Sequence, residues 1–204
     1  VSRRHPKPAE AATTVVGVLL AAGSASRFGG DKLLVKLGDG SPLAEAALAP
    51  LAAGVDEVIA VVRPGDVALI SLFRASGALI SICANAAEGM GASLACGVRE
   101  VRRRFPQAQG VVIALADMPW VSVSSVERIA AALRRGSSLA APTYRGSRGH
   151  PVAIGSGYFE ELQALGGDQG ARTLLAAHGA ELELIAVDDP GVLRDVDTPA
   201  DLDL

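Results

Sequence analysis

Aromatic side chains are scarce in this chain: one Trp, two Tyr and four Phe among 204 residues. With so few stacking platforms, and a formal net charge of −3 at pH 7, neither stacking on bases nor a basic surface suits the chain, which argues against a nucleic-acid partner. A polyanion such as a nucleotide must instead be met by a local cluster of cations and backbone N–H groups. Cysteine is also sparse. Cys83 and Cys96 have neither CxxC nor zinc-finger spacing and read as buried thiols of a reducing compartment, which makes the chain a cytoplasmic one. The longest apolar stretch, Val15 to Gly23, is less than half of a membrane span, so no membrane partner is expected. Val1 to Thr14 hold Arg3, Arg4, His5 and Lys7 but no continuous apolar segment. They read as a disordered leader, not a secretory signal.

What is present is small and aliphatic. Half of the residues are hydrophobic, and with few aromatics the core must be built from Ala, Val, Leu and Ile around many glycines, as in a sheet covered by helices. The length suits one domain, residues 15–204, with one active site.

Apolar runs of strand length alternate with helix-forming segments. Val15 to Ala22 reads as a buried strand entering the loop Gly23-Ser24-Ala25-Ser26-Arg27-Phe28-Gly29-Gly30. Ser41-Pro42 resembles an N-cap with proline at the first helical position, and the helix Leu43 to Ala53 closes at Gly54. Strand Glu57 to Val62, helix Pro64 to Ser76, strand Leu79 to Cys83, helix Ala92 to Phe105, strand Gly110 to Ala116 and helix Val123 to Arg135, capped by Ser122, continue the alternation. The spacing predicts a three-layer α/β/α architecture with a mostly parallel sheet, binding ligands at the strands' carboxyl ends. After Leu139 to Tyr144 the turn Arg145 to Pro151 and the strand Val152 to Ile154 suggest a small β-hairpin excursion bearing an acceptor site. Helices at Tyr158 to Leu165 and Gln169 to His178 and a strand at Leu182 to Val187 complete the pattern.

Two places have the composition of a site. The loop Gly23 to Lys32 offers glycine N–H groups with Arg27 and Lys32, a phosphate cradle that is neither a Walker loop nor a GxGxxG turn. A bare Gly/Ser loop is more often a flexible turn with solvated basic residues; the apolar strand leading into it favours the cradle. Asp117 directly follows an apolar strand, where a carboxylate reaches the ligand crevice and offers Mg²⁺ a hard oxygen. Asp197 is a candidate second ligand; alone, either aspartate is more often a helix cap. His150 is equally well an acceptor contact or a turn histidine packed on the sheet edge.

The sequence resembles the MobA-like nucleotidyltransferases of molybdenum-cofactor biosynthesis, most of all the molybdenum cofactor cytidylyltransferases (MocA type). Leu20 to Lys32 looks like the LAAGxSxRxGxxK signature. Asn85 with Gly89-Met90-Gly91-Ala92-Ser93-Leu94 resembles the asparagine and GMxxSL segment, and Leu115-Ala116-Asp117-Met118-Pro119 the metal-binding LADxP segment. Arg148 to Val152, Gly167 to Arg172 and Asp195 to Pro199 are similar to RGHPV, GDxGAR and DIDTP. The resemblance runs in order from Val15 to the C-terminus. It implies a Rossmann-like nucleotidyltransferase fold and Mg²⁺-dependent transfer of CMP from CTP to molybdopterin, with a molybdoenzyme as a further partner. Leu20, Ala21, Ala22, Gly23, Ser24, Arg27, Lys32 and Asn85 then bind the nucleotide; Ser93 and His150 the acceptor; Asp117 and Asp197 the metal; and Arg27, Lys32 and Asp117 are catalytic. Ala22 in place of a second glycine favours cytosine over guanine. Phe28 stands where methionine is common, and Gly91-Ala92 replaces two serines.

Competing readings are a non-catalytic nucleotide or pterin holder for molybdoenzyme maturation, transfer with another base or phosphorylated acceptor, and a hydrolase. Gly91-Ala92-Ser93-Leu94-Ala95 approaches a nucleophile elbow, but Ala84 to Met90 separate it from the preceding strand. A redox role on a related fold would need a nicotinamide site that the sequence does not display.

Overall fold

The computed structural model describes residues 14–23, 28 and 32–203. The expected leader therefore lies outside the described residues except for Thr14, as do Ser24 and Arg27.

Strands β1 (Val15–Leu20), β2 (Glu57–Val62), β3 (Leu79–Ile82) and β4 (Gly110–Leu115) alternate with helices α1 (Leu43–Gly54), α2 (Val67–Ala75) and α3 (Met90–Arg104). Then come α4 (Val123–Arg134), β5 (Leu139–Tyr144), β6 (Ser147–Arg148), β7 (Val152–Gly155), α5 (Phe159–Gln163), α6 (Arg172–Ala177) and β8 (Leu182–Ala186). One mixed eight-stranded sheet has the order β3-β2-β1-β4-β7-β5-β6, with β8 also on β5. The pairings of β1 with β2 and β4, of β2 with β3, and of β5 with β8 are parallel. Only β6 and β7 run against them.

Layering follows from the two-residue side-chain period of a strand. In β1, Val15 and Leu19 pack on one face with Leu48 of α1, Phe73 of α2 and Ile129 of α4. Val16 and Val18 pack on the other with Leu94 and Val98 of α3, Leu162 of α5 and Leu174 of α6. Helices thus cover both faces, and the central strands read as continuous apolar runs because neither face meets water. No described helix is long and apolar enough to cross a membrane. Both cysteines are free; Cys83 is buried as expected, but Cys96 is only half-buried.

Local chemistry corrects several boundaries. Pro42, not Ser41, occupies the N-cap of α1, and it makes an isolated bridge with Lys36. The Ser41 amide and hydroxyl both donate to Asp39 Oδ1 (2.9 and 2.6 Å), an Asx-type turn that outcompetes capping. Helix α2 begins at Val67 instead of Pro64 because Pro64-Gly65 forms a turn, with Gly65 at φ +87° and the Asp66 amide donating to Arg63 O. Ser122 caps α4 as expected, its side chain accepting from the Ser125 amide. The expected excursion is built differently: the predicted turn Arg145 to Pro151 contains β6, which forms a hairpin with β5, and β7 returns into the main sheet between β4 and β5. Arg145 (φ 49°) and Gly146 (φ 83°) form the two-residue turn of the β5–β6 hairpin, a geometry matched to the twist of paired strands.

Candidate active site

A crevice of about 440 Å³ opens at the carboxyl ends of the parallel strands, where open α/β sheets bind ligands. Leu20, Ala22 and Gly23 line it after β1, Arg63 after β2, and Leu115 and Asp117 at the end of β4. Met90 and Ser93 close it from the first turn of α3, and Asp168 from the segment before α6. Its volume lies within the roughly 300–1,000 Å³ usual for a small-molecule site.

Lys32 is the electrostatic centre. A short 3₁₀ turn, Lys32–Leu34, carries it out of the glycine loop, and only 9% of the residue is exposed. Its ammonium donates to Asp117 Oδ2 at 2.9 Å and to the Val196 carbonyl at 2.6 Å, and lies 3.9 Å from Asp197 Oδ1. Three segments distant in sequence converge on one buried charge. Such a lysine needs these partners, since an unpaired buried charge costs several kcal/mol.

The carboxylates also fit a divalent cation. Asp117 and Asp197 both reach the same ammonium, so hard oxygens from two chain segments face one small volume. Among the described residues no three His, Cys, Asp or Glu side chains cluster tightly enough to hold a metal ion by themselves. One or two carboxylates completed by water and phosphate oxygens is the usual Mg²⁺ arrangement.

Contacts behind the crevice set this geometry. The Asp117 carbonyl accepts from the Val196 amide (2.9 Å). Buried Asp189 accepts from the Ser122 amide (2.9 Å), the Ser125 hydroxyl (2.7 Å) and the Gly191 amide (2.9 Å). Burial alone would raise the pKa of this carboxyl, but those hydrogen bonds hold it below the ordinary value. The His150 amide donates to Val192 O (2.9 Å), and Gly149 packs so closely that an added Cβ would lie 2.1 Å from the same oxygen. The β4–α4 loop, the hairpin return and the C-terminal segment are thereby clasped together, positioning Asp117, His150 and Asp197.

The expected site residues separate into groups. Leu20, Ala22, Gly23, Ser93 and Asp117 line the crevice, with Lys32 bonded to Asp117. Ala21 is buried beside them, its amide donating to Val61 O. Asn85 is not on the crevice wall. Its amide donates to Glu88 Oε2 (3.1 Å) and its oxygen faces the Cys83 thiol (3.4 Å), while Ala86 and Ala87 line the crevice. His150 is apart from Ser93, in a second cavity of about 150 Å³. Burial pushes the His150 pKa below its ordinary value, and Nδ1 has no hydrogen-bond partner.

Gly91 to Ala95 lie within α3, and the buried Ser93 hydroxyl donates to Gly89 O. No strand turns sharply into that serine, so the nucleophile-elbow geometry is absent there. Sequence reasoning did not single out Arg63 on the crevice or Asp189 behind it, and it marked Asp168 only as part of the GDxGAR-like segment, without a role. A polar residue just after a strand marked Arg63; nothing local marked Asp189.

A nucleotide-sized crevice at the ends of parallel strands, with a buried lysine on a strand-end aspartate, defines a nucleotide-handling α/β enzyme. Residues 17–182 match the MobA-like NTP transferase domain, and the chain belongs to that family of nucleotidyltransferases. It is similar to the purine catabolism protein PucB of Bacillus subtilis (strain 168), 32% identical and aligned over 93% of this chain and 95% of PucB. The nicotine blue oxidoreductase of Paenarthrobacter nicotinovorans is 31% identical, with 90% and 92% covered. Among solved structures, Rv0371c of Mycobacterium tuberculosis H37Rv superposes with a TM-score of 0.82 at 28% identity, covering 94% of this chain and 96% of that one. A further structure of Rv0371c is a complex with manganese (TM-score 0.75, 26% identity, the same coverage).

Proposed function

We propose that residues 15–204 act as one domain that transfers CMP from CTP to the phosphate of molybdopterin, releasing pyrophosphate, with Mg²⁺ as the metal. The observation that carries this reading is the convergence of Lys32, Asp117 and Asp197 on one side of a nucleotide-sized crevice. A non-catalytic holder has little need of a buried lysine set on two carboxylates.

The chemistry asks mainly for positioning and neutralisation. A phosphate monoester is already anionic near neutral pH, so its oxygen attacks the α-phosphorus in line without a strong general base. The new P–O bond forms as the bond to the β-phosphate oxygen breaks, and pyrophosphate carries the electron pair away. Lys32, with Arg27 and the loop N–H groups, neutralises the leaving group. Asp117 and Asp197 would hold the divalent ion, which would supply Lewis-acid neutralisation of phosphate charge. The small side chains Ala21 and Ala22 let the nucleotide approach the backbone, and Ala22 in place of glycine favours cytosine. Asn85 acts on the nucleotide from behind the crevice wall, and Ser93 and His150 contact the acceptor.

The test is pyrophosphate release with Mg²⁺, each of the four ribonucleoside triphosphates, and molybdenum cofactor as acceptor. The expected result is release with CTP above the other three. Preference for another triphosphate would replace the base assignment, and no release with any of them would overturn the reading. The Paenarthrobacter oxidoreductase among the relatives adds a control: oxidation of a reduced nicotinamide by this chain, with the electrons passed to an added two-electron acceptor such as a quinonoid dye, would favour a redox role.

A further inference from the structure

Cys83 and Cys96 are the chain's two cysteines, and neither takes part in the nucleotidyl transfer. The fold brings them together. Cys83 directly follows β3, and Cys96 lies on the face of α3 that packs on that strand. The Cys83 thiol reaches toward α3, 3.7 Å from the Ala92 carbonyl one turn before Cys96. The Cys96 thiol reaches back toward β3, 3.8 Å from the Ile82 carbonyl and 3.5 Å from the Ser81 hydroxyl. Residues four apart on a helix share one face, so the two thiols approach each other from opposite sides of the β3–α3 junction. Burial first, and then the Cys96 thiol beside it, push the Cys83 pKa up to about 11.

The segment between the cysteines supplies one wall of the crevice: Ala86, Ala87, Gly89, Met90 and Ser93. Asn85 is held behind that wall, its oxygen 3.4 Å from the Cys83 thiol and its amide on Glu88. Gly89 and Gly91 press so closely on the segment before α6 that added Cβ atoms would lie 2.4 Å from Gly167 and 2.6 Å from Gly166. A wall packed this tightly cannot absorb a pull on its ends without losing its shape. A bond between residues 83 and 96 would close a loop around all of these crevice residues. Access to the two thiols also differs in the sense a relay needs. Cys83 is buried and Cys96 half-buried, so an oxidant meets Cys96 first and Cys83 resolves it.

We propose that Cys83 and Cys96 are a reversible redox pair whose disulfide, made by hydrogen peroxide, deforms the crevice wall from Asn85 to Ser93 and weakens nucleotide binding. The consequence for the nucleotide rests on the nucleotidyl-transfer reading; the bond itself does not. The Cys96 thiolate attacks one peroxide oxygen, an S–O bond forms as the O–O bond breaks, and the departing hydroxide takes up the Cys96 proton as water. The Cys83 sulfur then attacks the sulfenic sulfur of Cys96. The S–S bond forms, the S–O bond breaks, and the oxygen leaves with the Cys83 proton as a second water. Two thiols lose two hydrogens, and one peroxide becomes two waters. An S–S bond of about 2.05 Å draws the Cys83 sulfur away from Asn85 and Ala92, so the wall loses the thiol contacts behind it. A dithiol restores the starting state by exchange.

The test adds hydrogen peroxide in small excess to the full chain as wild type, Cys96→Ser and Cys83→Ala, and removes it before each measurement. The expected result in wild type is the loss of both free thiols, a monomer mass lower by two hydrogens, and a crosslinked peptide joining Cys83 to Cys96. Calorimetry with CTP and Mg²⁺ should then read an affinity weakened about tenfold. It should recover after dithiothreitol and be unmoved by peroxide in Cys96→Ser. In Cys83→Ala, peroxide should add oxygen at Cys96 without a crosslink. Thiols retained in treated wild type, oxygen added there without a crosslink, or a disulfide that leaves CTP affinity unchanged would each overturn the proposal. If CTP binds none of the reduced proteins, the nucleotidyl-transfer reading fails, and amide hydrogen exchange over residues 84–93 reads the wall directly. Faster exchange in oxidised than in reduced wild type is then the expected result, and equal exchange would overturn the proposal.

Discussion

The two halves of the sheet are assembled by different rules. On the β3-β2-β1-β4 side every pairing is parallel, and β1, β2 and β4 end on the crevice, so most of the crevice-lining groups on this side are placed by the backbone of the sheet. On the β7-β5-β6-β8 side parallel and antiparallel pairings mix. His150 and Asp197 are placed there by long-range contacts through Asp189, Val192 and Val196. The comparison teaches that the nucleotide half rests on a regular scaffold and the other half on a few polar contacts. Substitutions in the second half can therefore reshape one substrate's site while leaving the nucleotide's intact.

Breaking the junction between the halves should have the largest effect. Asp117→Asn retains an oxygen for the Lys32 ammonium but removes the charge, and should lower turnover about a thousandfold or more while the chain stays folded. Asp117→Ala is the poorer test, because it strips a buried lysine of its main partner and adds a folding defect. Near-normal pyrophosphate release by Asp117→Asn would contradict the site. Next comes the clasp: Asp189→Ala leaves two amides and a hydroxyl without their acceptor, and should cost about 3 kcal/mol of stability in a urea titration. A cost below about 1 kcal/mol would show that the second half does not depend on it.

A smaller effect is expected within the regular half. Arg63 lines the crevice and is braced by Asp66 (3.2 Å), so Arg63→Ala should raise the KM for the nucleotide about tenfold with little change in kcat. An unchanged KM would remove Arg63 from the nucleotide site.

The smallest effect lies outside both sites. The hydrogen bond from Arg103, with Arg104 adding to it, lowers the Glu100 pKa from 4.5 to about 2. Because the folded-state value is depressed, this stabilisation is fully present above pH 4.5 and is lost as the pH falls toward 2. The arginines are partly exposed, which limits it to about 1 kcal/mol. The urea midpoints of wild type and Glu100→Gln should therefore differ at pH 6 and converge only as the pH falls to about 2.

The regular half was the legible half. Apolar runs bounded by glycine and proline placed β1 to β4 within a residue or two, since strands buried on both faces leave a strong local pattern. The start of α2 was misread because the turn at Pro64-Gly65 overrode helix-forming residues after it. Lys32 and Asp117 stood out by position and charge, but their direct bond spans 85 positions of sequence and no local spacing encodes it. Asp189 was invisible for the same reason, its partners Ser122 and Ser125 being fixed only by the tertiary fold. Asn85 was legible as a motif residue, yet its orientation toward Glu88 depends on the 3₁₀ turn that follows it.

The central claim is that Asp117 and Asp197 share a divalent cation with the nucleotide beside Lys32. Water-proton relaxation by Mn²⁺, titrated with CTP into wild type and Asp117→Asn, tests it most directly. The account predicts a strong enhancement from a protein-bound Mn²⁺–CTP complex in wild type and its weakening by about tenfold or more in affinity in the variant. Equal Mn²⁺–CTP affinity in the two proteins would contradict it.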